Sequence, residues 1–280
     1  MSNDLAELIA KRFIQRRDVK AMQSFNGNDY FPVTQRNPDD TPGPRLPFKM
    51  ADLQDHLEGK RSYGHYLLDL NDTARLFAFD IDLERTGFYC ELPDLSAFET
   101  GPTDEQFMSM VRVYSCNPQE VWRNRAHPGR TWMKFQMRSM ADLLARTIYD
   151  VLELPTAAAY SGSKGVHVYG FTGPVKASEA REAADLVLDA IGEFEVKKGK
   201  NFFRHKNQDP FTGYPNISVE VFPKQESLSG KDLGNLMRLP LGRNMRSNDP
   251  TFFVDMKKPR AILSPHPDPV ELLTSGNPWA

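Results

Sequence analysis

Three short segments place polar and aliphatic side chains on opposite faces, which restricts this chain to a fold built around a sheet with one dry side. In Phe77-Ala78-Phe79-Asp80-Ile81-Asp82, a strand's two-residue period sends Phe77, Phe79 and Ile81 one way and Asp80 and Asp82 the other. The two aspartates are then roughly 6.6 Å apart along the chain, a spacing that suits carboxylates sharing a pair of divalent ions. In Ile217-Ser218-Val219-Glu220-Val221-Phe222, the aliphatic residues face one way and Glu220 the other. A third carboxylate therefore converges on the first two if this strand lies beside the first. Between them runs Ser161-Gly162-Ser163-Lys164-Gly165-Val166-His167-Val168-Tyr169, whose glycine turn, lysine and histidine suit an anionic phosphate tail better than a metal. Carboxylates, divalent metal and triphosphate together point to nucleotidyl transfer.

Taken singly, each piece has a commoner explanation. An Asp-x-Asp pair is usually a solvated strand face, a Ser-Gly-x-x-Gly run an ordinary turn, and a lone strand histidine a packed, hydrogen-bonded side chain. The conjunction carries the functional reading, because each polar group sits beside an apolar strand and helical segments separate the strands.

A chain of 280 residues is long enough for one large domain with a sizeable core. With 35 basic against 37 acidic residues the formal charge is −2, so contact with nucleic acid has to come from local patches. Cys90 and Cys116 are too few for a disulfide framework or a structural zinc site, and are expected as reduced thiols. No apolar stretch approaches the length of a bilayer span, and the first residues lack a secretory apolar core. The expectation is a cytoplasmic protein of a bacterial or phage-infected cell, with no membrane partner.

Along the chain, Asn3 or Asp4 caps a first expected helix reaching about Arg17, and residues 26–47, rich in proline, read as irregular surface chain. A short helix spans 51–59, ended by Gly59. Tyr63 to Leu70 and Arg75 to Leu83, parted by Asn71-Asp72, read as a hairpin whose second strand carries the aspartates. Residues 84–105 hold six acids against Arg85 alone and read as a solvated insertion. Residues 121–146 interleave Arg123, Arg125, Arg130, Lys134, Arg138 and Arg146 with Trp122, Trp132 and Phe135. That mixture suits a single-stranded template path as well as it suits a charged face with core aromatics. A helix from about Arg138 to Leu154 and another from Ser178 to about Gly192 follow, packing on the strands in the split β-α-β manner of a ferredoxin-like sheet. Lys197, Lys198, Lys200, Arg204 and Lys206, with Phe202 and Phe203, form either a soluble hairpin tip or a phosphate-holding loop. From Lys257 onward the chain, proline-rich and weakly periodic, reads as a tail that packs loosely or links to something absent.

The order Asp80-x-Asp82, Ser161-Gly162-x-x-Gly165-x-His167, then an acid within an apolar strand, resembles the archaeo-eukaryotic primase (primase-polymerase) superfamily. Val219-Glu220-Val221-Phe222-Pro223-Lys224-Gln225 and Gly234-Asn235-Leu236-Met237-Arg238-Leu239-Pro240-Leu241-Gly242 are similar to its phage, TOTE conflict-system and CRISPR-associated branch. Arg17-Asp18-Val19-Lys20-Ala21 and His56-Leu57-Glu58-Gly59 also resemble that branch. Two departures are the glutamate at position 220, where many members carry aspartate, and the lack of the extra cysteines of zinc-bearing members. The resemblance implies an α+β fold with an RRM-like (ferredoxin-like) catalytic sheet plus an N-terminal α/β lobe. The catalytic domain is then 1–256, made of the lobe (about 1–83), an insertion (84–137) and the RRM-like part (about 138–250), with a 257–280 tail. It further implies a primase/polymerase joining nucleoside triphosphates, ribo or deoxyribo, on a single-stranded DNA template in replication priming, with two divalent ions, Mg²⁺ or Mn²⁺. Asp80, Asp82 and Glu220 are the implied catalytic metal ligands, and Ser161, His167, the backbone near Gly165 and Arg238 the implied triphosphate site, to which the residues themselves, not the resemblance, add Lys164 of the glycine turn. Without a Gly-x-x-x-x-Gly-Lys-Ser/Thr motif, any helicase is expected as a separate protein or a missing portion of this one.

Two other classes are open to test. A non-catalytic single-stranded or origin-binding module would show aromatic rings where the sheet here carries Asp80, Asp82 and Glu220. A replication-initiator nuclease would need a histidine pair, whereas this strand reads His167-Val168-Tyr169.

Overall fold

Alternating burial in the acid strand, Phe77–Leu83, builds the centre of a seven-stranded sheet, since the aliphatic half of each central strand has to be covered on one side. The computed structural model describes residues 3–27, 29–85, 87–91 and 102–279. The strand order is Phe194–Lys198, Phe202–His205, Ile217–Phe222, Phe77–Leu83, Gly165–Gly170, Thr156–Tyr160 and Phe252–Phe253. Every neighbouring pair is antiparallel. The helix Arg130–Leu152 lies between the first and second of the four central strands in chain order, and Ala177–Ile191 between the third and fourth. Those four stand in the order fourth, first, third, second.

The two helices cover the aliphatic face. Phe77, Phe79, Ile81, Val166, Val168, Val219 and Val221 share one buried cluster with Leu144, Ile148 and Val187. On the opposite face, Ala78, Tyr169 and Phe222 belong to a second cluster with Phe13 of the Asn3–Phe13 helix and Leu53 of the Met50–Leu57 helix. Phe13 meets Tyr169 edge-on at 4.9 Å between ring centroids. The covering lobe also holds a four-stranded sheet of Leu236–Arg238, Tyr63–Tyr66, Ala21–Gln23 and Tyr30–Pro32. Each of its three pairings is antiparallel. Only part of the second face is covered, and the remainder carries the polar residues.

Several local expectations change. The expected hairpin does not form: Tyr63–Tyr66 pairs in the lobe sheet, while Phe77–Leu83 pairs with Gly165–Gly170 and Ile217–Phe222. The break is at Asp69, whose carboxylate accepts the amides of Asn71 and Thr73 and turns the chain from one sheet to the other. The first helix stops at Phe13, four residues short of Arg17. Within 26–47, Tyr30–Pro32, Thr34–Arg36 and Pro42–Arg45 are short strands. The long helix starts at Arg130, inside the segment read as an insertion, and Trp122, Trp132, Met133 and Phe135 are buried in the main cluster. The aromatic rings of 121–146 are thus core, with Trp132 0 % exposed, and the template path read there is overturned. Residues 92–101, much of the acidic segment, lie outside the described residues, as does the side chain of Cys90. Cys116 is a free thiol. No helix among the described residues is long and apolar enough to cross a membrane.

The tail is corrected too. Asp268 caps a helix over Pro269–Ser275, and Leu272 and Leu273 enter the lobe cluster. The Gly276 carbonyl accepts the Thr156 amide at 2.8 Å, and Arg12 Nε donates to the Leu273 carbonyl at 3.2 Å. Periodicity is hard to read there because five prolines punctuate the segment and its helix is only seven residues long. Leu272 is 1 % exposed. Leu272→Ala is expected to cost about 2–5 kcal/mol of stability, measured by urea denaturation; an unchanged midpoint would mean that the tail does pack loosely.

Candidate active site

The uncovered half of the sheet face collects the acids. In the register of the central strands, Asp80 lies opposite Glu220 on one side and His167 on the other, and Asp82 lies opposite Ser218 and Gly165. Directly opposed residues have Cβ atoms about 4.5–5.5 Å apart, so Asp80 is flanked by a carboxylate and an imidazole. Gly165 is required by this closeness, since a Cβ there would stand 2.5 Å from the Ile81 carbonyl oxygen and 2.7 Å from Asp82 Oδ1. A cavity of about 260 Å³ opens over this surface, lined by Asp80, Asp82, Ser161, Lys164, His167 and Arg238 among others.

Like charges held together in a desolvated place resist ionisation. Burial, then the neighbouring Glu220, pushes the Asp80 carboxyl up to about 6. Burial, then Asp80, pushes Asp82 up to about 6 as well, and burial raises Glu220. Each acid has its own basic partner. Lys164 Nζ pairs with Asp82, Lys224 Nζ with Glu220, and His167 Nε2 lies 3.4 Å from Asp80 Oδ1. In this arrangement, no three His, Cys, Asp or Glu side chains among the described residues stand together as an ion cage.

His167 is held neutral near pH 7, since burial and then the Arg238 charge lower it to about 4. Its Nδ1 is 3.0 Å from Tyr169 Oη. Burial raises the Tyr169 phenol, which keeps its proton and donates it to Nδ1, so the ring proton sits on Nε2, facing Asp80.

The Ser161–Lys164 turn spends its carbonyls and the Ser161 amide, which donates to the Gly165 carbonyl at 3.0 Å, and keeps its other three amides. Ser161 O accepts from Arg238 Nη1 at 3.0 Å and Asn244 Nδ2 at 3.1 Å, and Gly162 O accepts from Ser247 Oγ. Ser163 O accepts from Trp122 Nε1 at 2.6 Å and Tyr160 Oη at 2.8 Å, and Lys164 O from the Leu83 amide at 3.2 Å. The amides of Gly162, Ser163 and Lys164 have no acceptor among the described residues. A run of such donors is an anion-binding concavity.

Every sequence-derived site residue therefore lies at one mouth: Asp80, Asp82, Ser161, Lys164, His167 and Arg238 line the cavity, Gly165 closes the turn, and Glu220 stands beside Asp80. Sequence reasoning missed Tyr30, Asn244 and Arg246, which also line it. Their positions depend on chain crossings that carry no local signal. Lys224 lies inside a segment used for the resemblance, but its pairing with Glu220 is visible only in three dimensions.

A family model described as the archaeo-eukaryotic primase domain of the TOTE conflict system matches residues 5–275. No curated protein matches the sequence significantly. Among solved structures the chain is similar to the "Polymerase Domain from Mycobacterium tuberculosis Ligase D in complex with DNA", at 14 % identity over 97 % of this chain and 84 % of that chain, with a TM-score of 0.43. A likeness so distant transfers no residue role.

Crowded carboxyls have a consequence for stability. A carboxyl whose folded-state pKa is raised favours folding at low pH, and that contribution is lost as pH climbs from its unfolded value near 3.8 through about 6. In chelator-containing buffer at pH 8, Asp80→Asn is expected to raise the melting temperature by a few degrees, roughly 1–2 kcal/mol. The gain should shrink towards pH 4. A variant that melts lower than the parent at pH 8 would contradict the crowding.

Proposed function

The chain belongs to the archaeo-eukaryotic primase domain family of TOTE conflict systems, and we propose on that premise that it joins nucleoside triphosphates on a single-stranded DNA template, as in replication priming. The observation that carries this reading is the register in which Asp80 stands between Glu220 and His167, beside a turn whose amides lack acceptors. The order fourth, first, third, second of the central strands supports an RRM-like sheet as the platform. Polar acids on that face, in place of stacking aromatics, weigh against a non-catalytic binding module.

Asp80, Asp82 and Glu220 are the groups that would hold divalent cations, Mg²⁺ or Mn²⁺. The donor set fits: all three are hard oxygen donors, and the burial and then mutual repulsion that raise the Asp80 and Asp82 carboxyls are what a cation offsets. Glu220 Oε1 is buried and receives no well-aligned hydrogen bond despite its Lys224 partner. When bound, such ions supply charge stabilisation to the attacking and leaving oxygens of an in-line phosphoryl transfer. Lys164 and Lys224 pair with Asp82 and Glu220, and the Lys164 side chain lines the cavity, within reach of a phosphate placed there.

The chain's own groups then orient the nucleotide. The Gly162, Ser163 and Lys164 amides, the Ser161 hydroxyl and Arg238 are assigned to the triphosphate, with Gly165 allowing the turn to lie close to Asp82. His167, neutral and protonated on Nε2, donates a hydrogen bond to a phosphate oxygen without adding charge. Arg238 lies close enough to lower the His167 pKa and lies over the Tyr30 ring at 5.7 Å, so phosphate charge and ring packing are positioned by one side chain.

The test is incorporation of labelled nucleotide on single-stranded DNA with Mn²⁺ or Mg²⁺. Asp80→Ala combined with Asp82→Ala is expected to reduce incorporation below detection with an unchanged circular dichroism spectrum, and chelation of the parent to do the same. Full activity of the double variant would end the metal assignment. His167→Ala is expected to raise the nucleotide KM about tenfold with a smaller effect on kcat; unchanged constants would return the histidine to a packing role.

A further inference from the structure

Beside the cavity mouth, three segments that carry an exposed aromatic ring and three arginines come together. Phe25 is 73 % exposed. The Arg61 guanidinium lies over its ring, 4.7 Å from the centroid. Two residues on, Gly27 lines the cavity, and its backbone, at φ +70°, lies so close to the 244–247 turn that a Cβ would stand 2.3 Å from the Arg246 amide nitrogen. Gln23 ties the same pieces together, donating to the Gly27 carbonyl at 3.0 Å and accepting the Met245 amide at 3.1 Å. Arg243 packs near Gly59, 3.6 Å from the place a Cβ would take. Arg61, Arg243 and Arg246 have no carboxylate within ion-pair reach among the described residues; the neighbouring Asp249 is taken by Arg125.

A ring left in water costs hydration free energy, and uncompensated arginines repel one another. Flat aromatic surface flanked by unpaired cations is the chemistry that binds a single nucleic-acid strand, the ring stacking a base and the arginines meeting phosphates. We propose that Phe25, Arg61, Arg243 and Arg246 form the path along which a single-stranded nucleic-acid strand enters the site, with Phe25 stacked on an unpaired base. This rests on the nucleotidyl-transfer reading for its purpose, but its own evidence is the surface. The close approach of Gly27 to Arg246, both lining the cavity, ties the segment that carries Phe25 to the rim of the site.

Fluorescence anisotropy with a fluorescein-labelled oligodeoxythymidine tests it directly, with nucleotide incorporation measured in parallel. Phe25→Ala is expected to weaken binding about tenfold, and Phe25→Trp to retain it. Phe211→Ala, at an exposed ring that does not line the cavity, is expected to leave affinity unchanged. Combined Arg61→Ala, Arg243→Ala and Arg246→Ala should lower the salt slope of log K by about 2, near 0.7 for each phosphate that is no longer neutralised. Melting temperatures confirm that each variant folds. Parental affinity and salt slope in both the Phe25→Ala and the arginine variants would overturn the path, whatever the incorporation result. Loss of binding in those variants with no incorporation by the parent would keep the path and sink the nucleotidyl-transfer reading.

Discussion

The parity of the sheet is the constraint on which the rest depends. Phe79 and Ile81 have to face the long helix to stay dry, and with them fixed the alternation leaves Asp80 and Asp82 no choice of side. A slip of one residue would bury two carboxylates in the main cluster and expose two large apolar side chains, an exchange costing many kcal/mol. The same parity in the flanking strands brings His167 and Glu220 to Asp80. The opposite face is then divided: Ala78, Tyr169 and Phe222 lie under the amino-terminal lobe, and the acids lie where that cover stops. The site is the edge of a lobe, and its floor is the polar face of strands whose other face is the core.

Charge pairing explains how such a floor persists. Three acids on a partly desolvated surface would repel one another, and the chain meets them with Lys164, Lys224 and a histidine that is itself neutral. The lysines are on the turn and on the segment after the last central strand, where they can exchange partners without disturbing the sheet. Lys164 is the side chain best placed to change partners, because its backbone is held by the Leu83 amide while its ammonium is at the cavity. The acids keep raised pKa values despite these partners, which leaves the surface receptive to stronger cations.

Much of this was legible in the sequence, and the legible part is what alternation encodes. Phe77 to Asp82 and Ile217 to Phe222 gave face and side because strand period alone decides them, and Gly165 was marked by its place in a turn motif. Sequence reading failed where a partner lies far along the chain. Tyr63 to Tyr66 reads like the first arm of a hairpin because its true neighbours, Ala21 to Gln23 and Leu236 to Arg238, are distant. Trp122, Trp132 and Phe135 sit among arginines in the sequence, yet the helices Pro118–Arg123 and Arg130–Leu152 turn these rings into the core. Arg138 is itself buried, with its guanidinium donating to the carbonyls of Asp255 and Lys258.

A near-neutral chain can still address a polyanion if its cations are unequally paired. The lysine-rich stretch from Lys197 to Lys206 has the composition of a phosphate-binding loop, but Lys197 pairs with Glu84, Lys200 with Glu226 and Arg204 with Glu195. Its basic character is largely cancelled in place. Around Phe25 the arginines are fewer, but none is neutralised by a carboxylate among the described residues. Local potential follows unpaired charge and not composition: the smaller cluster keeps three arginines without a carboxylate partner among the described residues, and the longer stretch keeps two, Lys198 and Lys206. The smaller cluster does so at the mouth of the cavity that holds the acids.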